Sequence, residues 1–253
     1  MSARRLLLAC VLLLSGASAR AEFPVFGTWP QPGGPGTPLT LSYSYSKLLD
    51  GSLLDRASGE PFTPDALRLI VETAFSDYAN VVPISFREIL DAGPLPETGE
   101  YDPSGLADIR IGQVPHVPGA NAYAYFPSEG SGLAGDIVFN ALRSGQHWSA
   151  VLFYAVAQHE IGHVLGLGHW VNAASGNAAQ HRASAIDAAL QLPAIPLAPE
   201  MIAALQNVYG IGRGEVLPLP LPPALPLFAL AVAGSCRRRR HRPLSFTTEQ
   251  CSC

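Results

Sequence analysis

The stretch QHEIGHVLGLGHW, Gln158 to Trp170, gathers three of the chain's seven histidines within eleven residues. It closes a proline-free, mostly apolar run, Trp148 to Leu165, that predicts a long and largely buried helix. His159 and His163 are four apart on that helix, so they share one face, one turn apart, with Cβ atoms roughly 6 Å from each other. That spacing lets both Nε2 atoms reach one zinc ion at about 2.0–2.1 Å. Gly166 tolerates positive φ, so it can end the helix and turn the chain back. His169 then supplies a third nitrogen. Three neutral imidazoles leave a divalent ion with one open position, where a water becomes acidic enough to attack a carbonyl. Glu160, directly after the first ligand, is placed to act as general base and then to protonate a leaving amine.

Composition bounds what surrounds this segment. The chain has 253 residues, 48% hydrophobic and 14% charged, enough for one domain with a substantial core. Its 24 glycines and 23 prolines predict much loop rather than a helical bundle. The net charge is −4, and eight of the 16 Lys and Arg residues lie at the ends, from Arg4 to Arg20 and from Arg237 to Arg242. The middle is therefore acidic, which argues against nucleic acid as a partner.

Residues 1–21 (MSARRLLLACVLLLSGASARA) read as a secretory signal peptide, with cleavage after Ala19 or Ala21. The four cysteines, Cys10, Cys236, Cys251 and Cys253, all fall outside the middle of the chain. A disulfide-free exported domain must rely on its core, on metal, or on both.

Between the ends, residues 22–215 read as one domain. Pro24 to Pro38 forms an extended lead-in. Strands are expected at Leu39 to Ser46, Ile84 to Glu88, Ala107 to Gln113, Ala120 to Phe126 and Gly135 to Asn140. Thr63 caps a helix from Pro64 to about Tyr78, with Leu67, Ile70, Val71, Ala74 and Phe75 on its apolar face. A last helix opens at Pro199 and stops at Gly210. The order predicts an α+β fold.

Residues 216–242 change character: an uncharged Pro-rich apolar run, then arginines, then a tail over 243–253. A basic cluster after an apolar run marks a membrane anchor or sorting signal. His116, His147, His181 and His241 lack ligand-like spacing and are expected at the surface or in packing.

HEIGHVLGLGH resembles the long zinc-binding motif of the metzincin metallopeptidases, most closely that of the matrixin branch. AYAYFPSEGSGLAGDIVFN (Ala122 to Asn140), LADIRIG (Leu106 to Gly112), ISFREI (Ile84 to Ile89), PLTLSYSYS and EMIAALQNVYG resemble further matrixin segments, so the likeness covers most of Phe23 to Gly212. It implies a twisted, mostly parallel five-stranded mixed sheet with two long helices and a small C-terminal subdomain carrying a third. It also implies an extended peptide substrate pairing with the edge strand at Ala122, Tyr123, Ala124 and Tyr125.

The departures are informative. Matrixins carry a structural zinc, but Tyr123 and Val138 stand at two of its histidine positions, so that site is expected to be missing. Asn140 replaces a calcium-linked aspartate, which argues against calcium, although Asp136 remains. Ile186 occupies the place of the methionine in the turn beneath the zinc, where an apolar side chain packs rather than ligates. Trp170 follows the last ligand and would either line the substrate cleft or shield the zinc histidines.

The C-terminal LPLPLPPALPLFALAVAGSCRRRR resembles the PEP-CTERM sorting signals of Gram-negative bacteria. That implies processing by an exosortase-like enzyme, at least transient membrane contact, and a secreted or cell-surface location. Taken together, the sequence points to an exported zinc metalloendopeptidase acting on protein or peptide substrates. The alternative is a non-catalytic, zinc-stabilised surface adhesin or biofilm protein.

Overall fold

In the computed structural model, residues 23–90, 107–129, 132–141, 148–169 and 196–219 are described. Six strands form one sheet: β1 (Leu39–Ser44), β2 (Ile84–Glu88), β3 (Ile109–Val114), β4 (Ala122–Ala124), β5 (Ile137–Asn140) and β6 (Val216–Leu217). Their order is β4-β5-β3-β1-β2-β6. Every pairing is parallel except β4 with β5. Among the described residues, three α-helices, α1 (Pro64–Ala79), α2 (Ala150–Val164) and α3 (Pro199–Tyr209), complete an α+β architecture.

The five expected strands are all present: β2 has the expected bounds, β3 starts two residues later and ends one later, and β1, β4 and β5 are shorter than expected. β4 is shorter than its apolar pattern suggests because the pairing becomes irregular at Tyr125, which bonds both Asp136 and Gly135. Its N–H donates to the Asp136 carbonyl (2.9 Å), and its own carbonyl accepts from Gly135 (3.1 Å). β6 is the addition. Val216 and Leu217, which the sequence places at the start of the apolar C-terminal segment, lie parallel to Phe86 and Arg87 on β2. Pro218 follows at once and cannot donate to a ladder, so the strand stops.

Helix α1 begins as its sequence dictates. Thr63 accepts from the Ala66 N–H at 3.2 Å and Pro64 fills the first turn. The apolar face expected from periodicity is the face that is buried, and Tyr78 continues it. Phe75 stacks on Phe86 of β2 at 4.4 Å and contacts Tyr43 of β1 at 4.8 Å, which locks the helix to the sheet centre.

Helix α2 has no polar face to spare: twelve of its fifteen residues are buried. Its start is fixed by Ser149, which caps the Leu152 N–H (3.2 Å), and by Trp148, Phe153 and Phe139 packed edge to face and tilted at 4.5–5.9 Å. Each such fully buried aromatic contributes on the order of 2–3 kcal/mol of apolar burial. The start of α2 is thereby tied to β5.

Helix α3 shares this core through Ala204, Leu205 and Tyr209. It ends where expected, at Gly210 with φ 85°, and a Cβ there would lie 2.5 Å from the Gly36 backbone. Among the described residues, no helix is long and apolar enough to cross a membrane.

Candidate active site

The C-terminus of α2 and the turn after it create the site. Gly166 has φ 93°, its N–H donates to the His163 carbonyl (2.8 Å), and the Leu167 N–H donates to the Gly162 carbonyl (2.9 Å). This paired 5→2 and 6→1 bonding is a Schellman termination, which needs a left-handed residue at Gly166. It folds the chain back so that His169 faces the helix it has just left.

The lead-in segment holds that turn from outside. The Phe26 N–H donates to the Gly166 carbonyl and the Gly168 N–H to the Pro24 carbonyl, both at 2.7 Å. Val25 and Leu167 form an antiparallel bridge. Trp29 Nε1 donates to the Val164 carbonyl at 2.8 Å, and the Tyr209 hydroxyl donates to the Leu165 carbonyl at 3.1 Å. The last carbonyls of α2 are therefore satisfied by side chains from both ends of the described fold.

Helix α1 braces α2 itself, ahead of that turn. The buried Tyr78 hydroxyl donates to the Gln158 carbonyl at 2.6 Å. Asp77 accepts from Tyr154 (2.5 Å) and Gln158 (2.8 Å). Burial raises the Asp77 carboxyl above its ordinary value, while those two donors oppose the rise.

Within this frame the three imidazoles converge. Their Nε2 atoms are 3.0 Å (His159 to His163), 3.2 Å (His163 to His169) and 3.3 Å (His159 to His169) apart. A tetrahedral ion with bonds of about 2.0–2.1 Å requires ligand atoms about 3.3–3.4 Å apart, so the triangle matches one face of such a polyhedron. His163 Nδ1 lies 2.6 Å from the Leu167 carbonyl. Donation to that oxygen fixes the tautomer and leaves Nε2 with a bare lone pair for the metal. Burial pushes His159 down to about 3, with His163 and His169 adding to the effect, and burial also lowers His163. Both shifts favour the unprotonated imidazole at His159 and His163, the form that metal ligation requires.

Glu160 sits beside them, buried, with Oε2 lacking a hydrogen-bond partner among the described residues. Burial alone pushes its carboxyl up to about 8. An orphaned carboxylate oxygen this deep is costly unless a cation or a protonated partner faces it. The donor set thus fits a zinc ion with a general base at its side.

Glu160 and the triad form one wall of a cleft of about 590 Å³. Gly119 to Ala124 also line it, so Ala122, Tyr123 and Ala124 of the terminal strand β4 border the cleft. Tyr125 does not line the cleft; it is drawn to Gly135 and Asp136 instead. Phe126 and Val156 do, and sequence reasoning missed both. Phe126 packs edge-on against His163 at 5.4 Å, a contact without a local sequence signal. Trp170 and Ile186 lie outside the described residues.

The structural-zinc positions behave differently. Tyr123 and Val138 are cross-strand neighbours on β4 and β5, and Val138 is fully buried. His116, which lacks ligand-like spacing, is exposed in the loop after β3. Neither Tyr123 nor Val138 offers an imidazole, so these residues do not fit a second zinc. Among the described residues, His159, His163 and His169 make the one cluster of three or more His, Cys, Asp or Glu side chains able to share an ion.

Residues 54–176, just under half of the chain, match the matrixin family model. The chain is matrixin-like. It is 29% identical over 143 residues to metalloendoproteinase 1-MMP of Arabidopsis thaliana, covering 51% of this chain and 34% of that protein. It is 30% identical over 173 residues to macrophage metalloelastase of Oryctolagus cuniculus, covering 64% and 33%. Interstitial collagenase of Bos taurus is 32% identical over 128 residues, covering 44% and 24%. The matched regions thus amount to about a third or less of each relative's length.

Proposed function

We propose that this chain is an exported zinc-dependent metalloendopeptidase that cleaves extended protein or peptide substrates. The observation that carries the reading is the triangle of Nε2 atoms with the buried Glu160 carboxylate beside it, facing a terminal strand across an open cleft. A zinc ion held by His159, His163 and His169 would polarise the scissile carbonyl and acidify a water at its open position. Glu160 takes the proton of the attacking water and passes it to the departing amine nitrogen. Its apolar surroundings favour the protonated form once the proton arrives, which suits that second role. The substrate backbone adds alongside Ala122 to Ala124, and this orients its carbonyl toward the triad. Phe126, against His163, keeps that imidazole from water on its outer side.

The test uses the zinc-loaded chain and an unstructured protein substrate. Glu160→Gln should retain the metal and lose at least about a thousandfold in turnover, as expected for removal of a general base in a site of this kind. Equal turnover in that variant would refute the mechanism. A zinc-loaded wild-type chain that cleaves nothing in a broad peptide library would instead fit a non-catalytic surface protein. For the ends of the chain, the reading is export through residues 1–21 and sorting through residues 216–242, with processing by an exosortase-like enzyme. N-terminal sequencing and intact-mass measurement of the extracellular protein check both cleavages.

A further inference from the structure

Strand β5 is bracketed by two side chains where the matrixin resemblance raises the question of a structural cation, Asp136 before it and Asn140 at its end. Both are buried and both are engaged by the protein itself, Asp136 by donors and the Asn140 amide by backbone carbonyls. Asp136 is 1% exposed and pairs with Arg110 on β3, also 1% exposed. Arg110 Nη2 lies 2.6 Å from Oδ2, and Nε lies 3.1 Å from Oδ1, a two-bond fork. The Arg110 backbone N–H reaches Oδ1 as well, at 3.3 Å. The same Nη2 donates to the Gly132 carbonyl, in the turn leading to β5. One guanidinium thus gathers a carboxylate and a loop carbonyl, the ligand types that a calcium ion draws together.

At the other end, Asn140 Nδ2 donates to the Val117 carbonyl (3.0 Å) and the Ala120 carbonyl (2.9 Å). Both belong to the loop that delivers β4 to the cleft. The Asn140 backbone completes the joint: its N–H donates to the Asn121 carbonyl (2.8 Å) and its carbonyl accepts from Trp148 Nε1 (3.0 Å). A cation placed there would meet amide hydrogens. The remaining Asn140 Oδ1, buried and without a partner among the described residues, is one acceptor where calcium takes six to eight oxygens.

We infer that Arg110 and Asn140 replace a structural cation: they fix the loops on either side of β4 with covalently attached donors, so the cleft wall forms without calcium or a second zinc. Arg110 is the centre of this arrangement, since neither it nor Asp136 tolerates burial without its partner. The inference concerns the scaffold and stands apart from the proteolytic reading, because its readouts are metal content and unfolding rather than cleavage.

The experiment takes the full chain, equilibrated with excess zinc and millimolar calcium and then freed of unbound ions. Elemental analysis should find one zinc and no calcium per chain. The thermal midpoint of the zinc-loaded chain should agree within about 1 °C with and without millimolar calcium. A stoichiometric calcium, a second tightly held zinc, or a calcium-induced rise of more than about 3 °C would overturn the inference. As a second arm, Arg110→Met should lower the calcium-free midpoint by at least about 5 °C, whereas Arg87→Met, at an exposed position on β2, should not. An Arg110→Met midpoint equal to wild type would also overturn it. If that variant does not fold at all, the metal content and calcium response of the wild-type chain still decide.

Discussion

Replacing Gly166 by alanine tests the link between backbone geometry and metal affinity most directly. At φ 93° an L-residue pays about 1–2 kcal/mol in local strain. The new Cβ would also lie 2.3 Å from the Gly27 carbonyl oxygen, a backbone atom that can move only with its segment. Moving that segment loosens the Phe26–Gly166 and Gly168–Pro24 hydrogen bonds, worth about 1 kcal/mol each. The expected loss is about 3–4 kcal/mol, equivalent to a midpoint drop of roughly 6–15 °C for a domain of this size. Because His169 hangs from the displaced turn, zinc affinity should fall by at least about a hundredfold. Thermal unfolding of the metal-free protein and competition against a chromophoric chelator measure the two effects. Gly168→Ala is the internal control. Its Cβ meets the Phe26 ring at 2.3 Å, but that ring is half exposed and can swing aside, so its loss should be clearly smaller. If Gly166→Ala costs under about 1 kcal/mol and keeps wild-type zinc affinity, the turn does not position the third ligand as argued here.

Three further outcomes follow from the same geometry. In the metal-free protein, the Glu160 carboxyl, raised to about 8, contributes stability that is complete below about 4.5 and lost as pH rises through 8. His159, lowered to about 3, contributes stability that is complete above about 6.5 and lost as pH falls through 3. Unfolding midpoints across this range should therefore decline on both sides, and Glu160→Gln should weaken the alkaline decline, to which the raised Asp77 and Glu72 also contribute, while leaving the acid decline unchanged. Tyr78→Phe deletes the hydroxyl that braces the Gln158 carbonyl and should cost about 1–1.5 kcal/mol in denaturant unfolding, with no change in the slope against denaturant. Trp29→Phe removes the donor to the Val164 carbonyl and some packing volume. It should cost about 1–2 kcal/mol, and unimpaired stability would show that the lead-in does not support the helix end.

What the sequence disclosed was mainly local. Histidines four apart on an apolar helix, a glycine after its last turn, and Thr63-Pro64 before another helix are governed by contacts within a few residues, so their positions could be read directly. The α+β class followed from the order of such segments. Contacts spanning more than a hundred residues left no comparable trace. The Pro- and Gly-rich stretch from Pro24 reads as a plain lead-in, yet it pairs with the turn between His163 and His169 through backbone groups that any sequence carries. Arg110 occupies a residue of a short strand pattern, and its partner lies 26 positions away. β6 was hidden for a related reason: two apolar residues before a proline signal little until β2 offers them an edge. Tyr125 is the converse case: alternation continues through it, while the regular ladder ends at Ala124 and Tyr125 bonds Asp136 and Gly135 together.

The confinement of all three donor nitrogens to eleven consecutive residues also bears on how the protein matures. Closing so small a ring takes little configurational entropy from a nascent chain, whereas the parallel pairings of β1 with β2 and β3 must wait for distant partners. Convergence of the three imidazoles can therefore precede sheet assembly, and the lead-in, once docked on the turn after α2, would hold them together.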